Sequence, residues 1–326
     1  MESALARSPR ESRVGAYLAF AAICVIWGTT FAAIRVAIET IPTLIVGGAR
    51  FLIAGLLLLL IAGLSGARFP KSTREWRDQT IAGVLMAGAG NTLVVYAEHT
   101  LTSGLAALLA ATIPIWMAAM EAVLGLSSLT GRKIAGLVLG FGGVGLLVAP
   151  AIGRVDLSGR FLLAVGAMQL SAICWNGGTL ISRRHRASAD PMAAAVVQML
   201  AGGVAVTLAA LAAGERATAG MFSVRSSVAV LYLAVLGSVV AYTAYNYAQT
   251  KLSAGQVSSY AYVNPGIAVL TGALLLREPV TLRMIASMAI ILAGVALIQI
   301  RPPDAATPPR SPRRPGGTTR SGAPGG

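Results

Sequence analysis

Apolar residues fall in ten long runs along the chain, divided by short polar connections rich in Arg, Gly and Pro. A helix needs about 20 apolar residues to cross the hydrocarbon layer, and each run comes close to that length. The pattern predicts spans at about 16–38, 44–63, 80–98, 104–124, 134–150, 161–181, 192–213, 227–249, 255–276 and 284–300, with ends good to about two to four residues. The fold class that follows is an all-α polytopic membrane protein with ten transmembrane helices. No connection is long enough to hold a soluble catalytic domain.

The runs also repeat. Tyr96 to Leu146, laid without gaps on Tyr247 to Leu297, matches at Tyr96/Tyr247, Ala97/Ala248, Gly104/Gly255, Pro114/Pro265, Thr130/Thr281, Arg132/Arg283 and Gly143/Gly294. The front of each half carries Trp27/Trp175, Arg35/Arg183 and Pro42/Pro191. The expected organisation is a basic N-terminal tail at 1–15, five-helix repeats at 16–150 and 151–300, and a tail at 301–326 too rich in Pro, Gly and Arg to build a core. An even number of spans puts both termini on one side. With the termini cytoplasmic, eighteen Lys and Arg residues fall inside and six outside, so the positive-inside rule selects that orientation. Five spans is an odd number, and the second repeat must therefore lie upside down relative to the first. Inverted repeats are a mark of secondary transporters, whose substrate sites lie where the repeats meet.

Composition agrees with a membrane chain. Of 326 residues, 56% are hydrophobic and only 12% charged, and the mean hydropathy is +0.73. The net charge of +14 would suit nucleic acid, but the arginines sit in short blocks between apolar runs without interleaved aromatics. Topology and anionic lipids at the basic cytoplasmic loops and tail account for them better, and the amphipathic segment LSGARFPKSTREWRDQ is expected along the inner lipid surface. Cys24 and Cys174 fall inside spans and read as packing residues. His99 and His185 stand apart from each other and from the cysteines, so no metal site is expected, and no cofactor motif is present. The few acids are scattered, which argues against an intramembrane enzyme.

Ionisable groups at membrane depth cost about 2.5 to 3.5 kcal/mol each, so those that remain are candidates for function. Arg35, Arg50 and Glu98 lie at similar depth near the outer ends of the first three spans. They read either as a polar cluster that binds a carboxylate or forms an Arg–Glu pair, or as side chains snorkelling to the interface. Glu121, the most interior acid of the fourth span, is a candidate proton carrier together with Glu98, with snorkelling as the equal alternative for each. Aromatic and amide positions form a second set: Trp27, Trp116, Trp175, Asn176, Tyr262 and Asn264 would suit a small amphipathic solute. Tyr242, Tyr245, Asn246 and Gln249 follow i, i+3, i+4, i+7 spacing and make one polar helix face, although Tyr245 and Tyr247 also fit an interfacial aromatic belt. Pro265 and its partner Pro114 predict helix breaks at matched positions. The glycine run at Gly136, Gly140, Gly142, Gly143 and Gly145 suits close helix packing or pairing of two copies in a homodimer.

These residues resemble the EamA-type family of the drug/metabolite transporter superfamily, ten-helix proteins of two five-helix repeats. The resemblance is carried by WGTTFAAIR with Pro42 and RFLIAG, by YAEHTLTSGLAALLAATIPIWMAAM, and by the closing segment with Pro265 and Arg277-Glu278-Pro279. It implies export of small metabolites, amino acids or toxic compounds, often against protons. One departure stands out: Ser127 occupies the place opposite Glu278 where the pattern usually keeps a glutamate. The expected protein is a proton-coupled exporter of the plasma membrane. It would work by alternating access around a cavity lined by the first, third, fourth, sixth, eighth and ninth spans. An uncoupled facilitator and a non-transporting membrane subunit or receptor are the alternatives.

Overall fold

The computed structural model describes residues 9–152, 159–185, 190–252 and 260–299. The C-terminal tail, most of the N-terminal tail and the junction between the repeats lie outside the described residues, as do the side chains of Asn246 and Gln249. The helices are α1 (Pro9–Ala37), α2 (Thr43–Leu64), α3 (Thr73–Ala97), α4 (Ser103–Val123), α5 (Gly131–Ile152), α6 (Gly159–Ser182), α7 (Pro191–Ala212), α8 (224–251), α9 (Tyr260–Leu276) and α10 (Leu282–Gln299). Among the described residues, eight are long and apolar enough to cross a membrane by length and composition; the described apolar stretch of α9 is shorter, and α5 packs along α10.

The predicted start of the third helix moves, for a local reason. The third helix starts at Thr73 because Ser72 Oγ accepts from Glu75 N at 3.2 Å while Glu75 Oε2 accepts from Lys71 N at 2.9 Å, a variant of the capping box. Half of the expected surface segment is thus the first turns of α3, where Trp76 stacks on Phe69 with ring centroids 6.3 Å apart. The fourth helix is interrupted at Ala111–Thr112, just before Pro114. By contrast α9 runs through Pro265 as one helix, so the expected matched break is not found there. Pro265 stands near the start of the described helix, and its missing N–H strands only the Ala261 carbonyl, too little to end the helix.

Packing follows a two-fold rule. Helices α2 and α7 lie together, as do α4 and α9, and α5 and α10. Then α1 packs on α8 and α9 just as α6 packs on α3 and α4, and α2 meets α8 as α7 meets α3. Exchanging the halves maps this set of contacts onto itself. The paired helices are antiparallel: Arg68, after α2, bonds to Asp190, before α7, through Arg68 N to Asp190 Oδ2 at 2.7 Å and Asp190 N to Arg68 O at 3.0 Å. Both helices end alike, in a left-handed Gly66 (φ 66) and Gly214 (φ 75), with Ala67 N bonded to Ala62 O and Glu215 N to Ala210 O. The repeats are therefore related by inversion, and the two faces of the bundle are an Arg68 end and a Glu98 end.

Glycines set the closest approaches. A Cβ on Gly83 of α3 would lie 2.2 Å from the Gln198 carbonyl of α7, and one on Gly136 of α5 would lie 2.7 Å from the Gly294 carbonyl of α10. Gly142 and Gly145 meet nothing within 4 Å. Gly83→Ala should accordingly lower stability by about 1–3 kcal/mol through overpacking, whereas Gly142→Ala should be neutral or stabilise by up to about 1 kcal/mol through helix propensity. Thermal melts of the purified protein in detergent check the opposite signs.

Candidate functional site: a cavity between the repeats

The helices line a partly open central cavity of about 230 Å³. Positions equivalent in the two repeats meet there: Trp27 and Trp175, Phe51 and Met199, Asn91 and Tyr242, Ile113 and Asn264, Pro114 and Pro265 all line it. Besides the six helices expected from sequence, α2 contributes Arg50 and Phe51, and α7 contributes Met199.

Irregular backbone shapes the walls. Helix α3 widens to π-helical turns over Val84–Gly90, and α8 does so over Leu233–Val240, at matching places. Such turns leave carbonyls off the regular ladder. Each stretch bonds to the first helix of the other repeat: Ser171 Oγ donates to Gly90 O at 2.7 Å, and Trp27 Nε1 donates to Gly237 O at 3.1 Å. These bonds fix the Trp27 ring, whose neighbours are Tyr260 at 4.9 Å and Tyr245 at 5.4 Å. Asn264, with its amide oriented so that the nitrogen donates, reaches Tyr260 O at 3.1 Å and Cys24 O at 3.2 Å. Sequence reasoning missed the π-helical stretches, Tyr260, Thr30 and Ser238; the small residues of VLMAGAG and LAVLGSVV were the only sign of the first.

The other candidates lie elsewhere. Asn176 follows Trp175 but points away, donating to Ile113 O at 2.8 Å beside the interruption in α4. Trp116 donates to Gln169 Oε1 at 2.8 Å and meets Phe141 edge-on at 5.2 Å, while Tyr262 packs against the apolar core. Glu121 forms an ion pair with Arg183 at 3.5 Å near the Arg68 end. Arg35 donates to the backbone carbonyl of Glu98. The Glu98 side chain is fully buried, and among the described residues neither carboxylate oxygen has a hydrogen-bond partner. Asn246 lies on α8, its side chain outside the described residues. The cysteines are free, and among the described residues no group of His, Cys, Asp and Glu could hold a metal ion.

Two polar knots close the bundle around the cavity. Towards the Arg68 end, Gln198 Nε2 donates to Gln79 Oε1 at 2.6 Å and to Ser182 Oγ at 2.9 Å, tying α7, α3 and α6. At the Glu98 end, Glu278 accepts from Ser103 N at 2.9 Å, Ser103 Oγ at 2.7 Å and Gly104 N at 3.3 Å, so that its carboxylate caps the start of α4. Gly272 makes room for it: a Cβ there would lie 2.4 Å from Glu278 Oε2. Ser127, the counterpart of Glu278, carries no carboxylate to do the same at the other end.

Comparison with known proteins places this architecture. The family model described as the EamA-like transporter family matches residues 14–149 and 162–300. The chain belongs to this family. Its members are transporters, not enzymes. The uncharacterized inner membrane transporter YedA of Escherichia coli is 33% identical over 282 residues, covering 86% of this chain and 89% of its own. A probable terminal-alkyne amino-acid exporter of Streptantibioticus cattleyicolor is 27% identical, covering 85% and 91%. A solved crystal structure superposes with a TM-score of 0.61 at 17% identity, covering 86% of this chain and 95% of the other, which shows a shared fold.

The helix cap is testable apart from transport. Glu278→Gln should cost about 0.5–2 kcal/mol, because it removes a half-buried negative charge from the start of α4. Glu121→Gln, which breaks a partly exposed pair, should cost less than about 1 kcal/mol. Denaturation of both variants side by side gives the order.

Proposed function

We propose that the chain is a secondary exporter of a small amphipathic solute, working by alternating access in the inner membrane with both termini cytoplasmic. The observation that carries this reading is the set of equivalent residues, Trp27/Trp175 and Pro114/Pro265 foremost, that line one cavity between inverted repeats. Rocking of one repeat against the other would open that cavity to each side in turn. The inner membrane assignment draws on YedA, and the outward direction on the exporter among the relatives. The orientation rests on the count of basic residues; with it, Arg68, Lys71, Arg74 and Arg77 would lie on the cytoplasmic side, where they suit anionic lipid heads.

Protons are the proposed coupling ion, and Glu98 is a better carrier than Glu121. Glu121 is held by Arg183, whereas the Glu98 carboxylate accepts no hydrogen bond among the described residues and has Glu278, Arg35 and Arg50 as its charged surroundings. A buried carboxyl so placed exchanges a proton only when the packing around it opens.

A solute first found by comparing metabolites retained by cells with and without the protein supplies the assay. In proteoliposomes, Trp175→Ala should slow its flux by about tenfold, equivalent to about 1.4 kcal/mol of lost contact. Glu98→Gln should flatten the pH dependence of flux, and Glu121→Gln should leave it as it is. Absence of any flux from the native protein would favour the non-transporting subunit, and pH-independent native flux the facilitator.

A further inference from the structure

The cavity is nearly two-fold in shape but not in charge. On α2 and α7, which span matching lengths, Phe51 and Met199 both face the cavity, and the residues just before them are Arg50 and Gln198. Gln198 is neutral, and its amide nitrogen is engaged in the knot with Gln79 and Ser182. Arg50 is 6% exposed and, among the described residues lining the cavity, is the only charged one. Its Nε donates to Ser238 Oγ at 3.1 Å and its Nη1 to Asn91 Oδ1 at 3.4 Å, both on the π-helical walls or next to them. Among the described residues its remaining N–H groups have no acceptor, and no carboxylate forms an ion pair with it. Its Nη2 lies beside Gly237, where a Cβ would approach it to 3.6 Å. Glu98 acts on this guanidinium through space without bonding to it.

A guanidinium fixed by two neutral acceptors keeps its charge and its planar fork for a third party. Burial makes that charge expensive to leave unpaired and favourable to pair. The lining also includes the aromatic residues Trp27, Trp175, Tyr242 and Tyr260, which suit an apolar body. Aromatic rings also attract cations, but here the lone positive charge opposes any ligand of the same sign. We infer that Arg50 is the head-group subsite of the cavity, and that the transported solutes are small carboxylates with an apolar or aromatic body, cationic amphiphiles being rejected. This rests on the cavity being the substrate site.

The test uses quenching of tryptophan fluorescence in the purified full chain, with phenylpropanoate, its neutral amide and the matching ammonium compound as probes. The acid should bind about 10- to 150-fold more tightly than the amide, the span of a charge-assisted hydrogen bond, and the ammonium compound no better than the amide. Arg50→Gln should bring the acid down to the level of the amide while leaving the amide unchanged. Arg50→Lys, which keeps the charge but loses the fork, should retain part of the preference and serves as the folding control. Equal binding of acid and amide by the native protein, tighter binding of the ammonium compound, or a preference that survives Arg50→Gln would overturn the anion assignment and leave the cavity as the site. If no probe binds, the cavity reading falls with it.

Discussion

No polar group at the depth of the hydrocarbon layer has water to fall back on, and the whole arrangement of this bundle answers to that constraint. Ser171 is spent on Gly90, Trp27 on Gly237, Asn176 on Ile113, and Trp116 on Gln169. Each of these bonds crosses between helices, so satisfying a polar group and fixing a helix contact are one act. The π-helical turns matter for this reason: they create the off-ladder carbonyls that side chains of the opposite repeat then meet. What is left unspent is correspondingly informative. Arg50 and Glu98 are the buried ionisable groups with bonding capacity to spare among the described residues, and they belong to the same repeat.

Much of the fold was legible because its signals are one-dimensional. Run length marks the helices, the Tyr96/Tyr247 register marks the duplication, and an odd number of helices per repeat demands inversion. The start of α3 was also readable, in Ser72 and Glu75, but the charge of that segment drew it to the lipid surface instead. The cavity lining was legible partly through symmetry: Trp27, Trp175, Pro114 and Pro265 line it, and their pairing across the register was the clue. Arg50, Tyr242 and Asn264 also line it and were marked by polarity within apolar runs. Trp116, Asn176 and Tyr262 misled because residue type alone does not say which face of an apolar helix a side chain occupies. With lipid outside and protein inside both apolar, periodicity loses its power to point inward. The π-helical stretches were invisible for a related reason, since they shift the helical register within runs of small residues that carry no polar marker.

Duplication supplies two copies of every wall, and the differences between the copies are where function has room to specialise. Arg50 against Gln198 divides charge from neutrality. Glu278 against Ser127 divides a carboxylate that caps a helix from a hydroxyl that carries no such charge.

The same inequality separates the two ends of the cavity. Ser182 and Gln79 of the knot towards the Arg68 end correspond to Ile34 and Val230, which lie buried in an apolar cluster with Val46, Val95 and Leu233 at the Glu98 end. Parting the first trades hydrogen bonds for hydrogen bonds to water, with little change in heat capacity. Parting the second wets oily surface and carries a positive heat capacity change. In an alternating cycle the two half-turns would therefore answer differently to temperature, and the slower half-turn of a cold cell need not be the slower one of a warm cell.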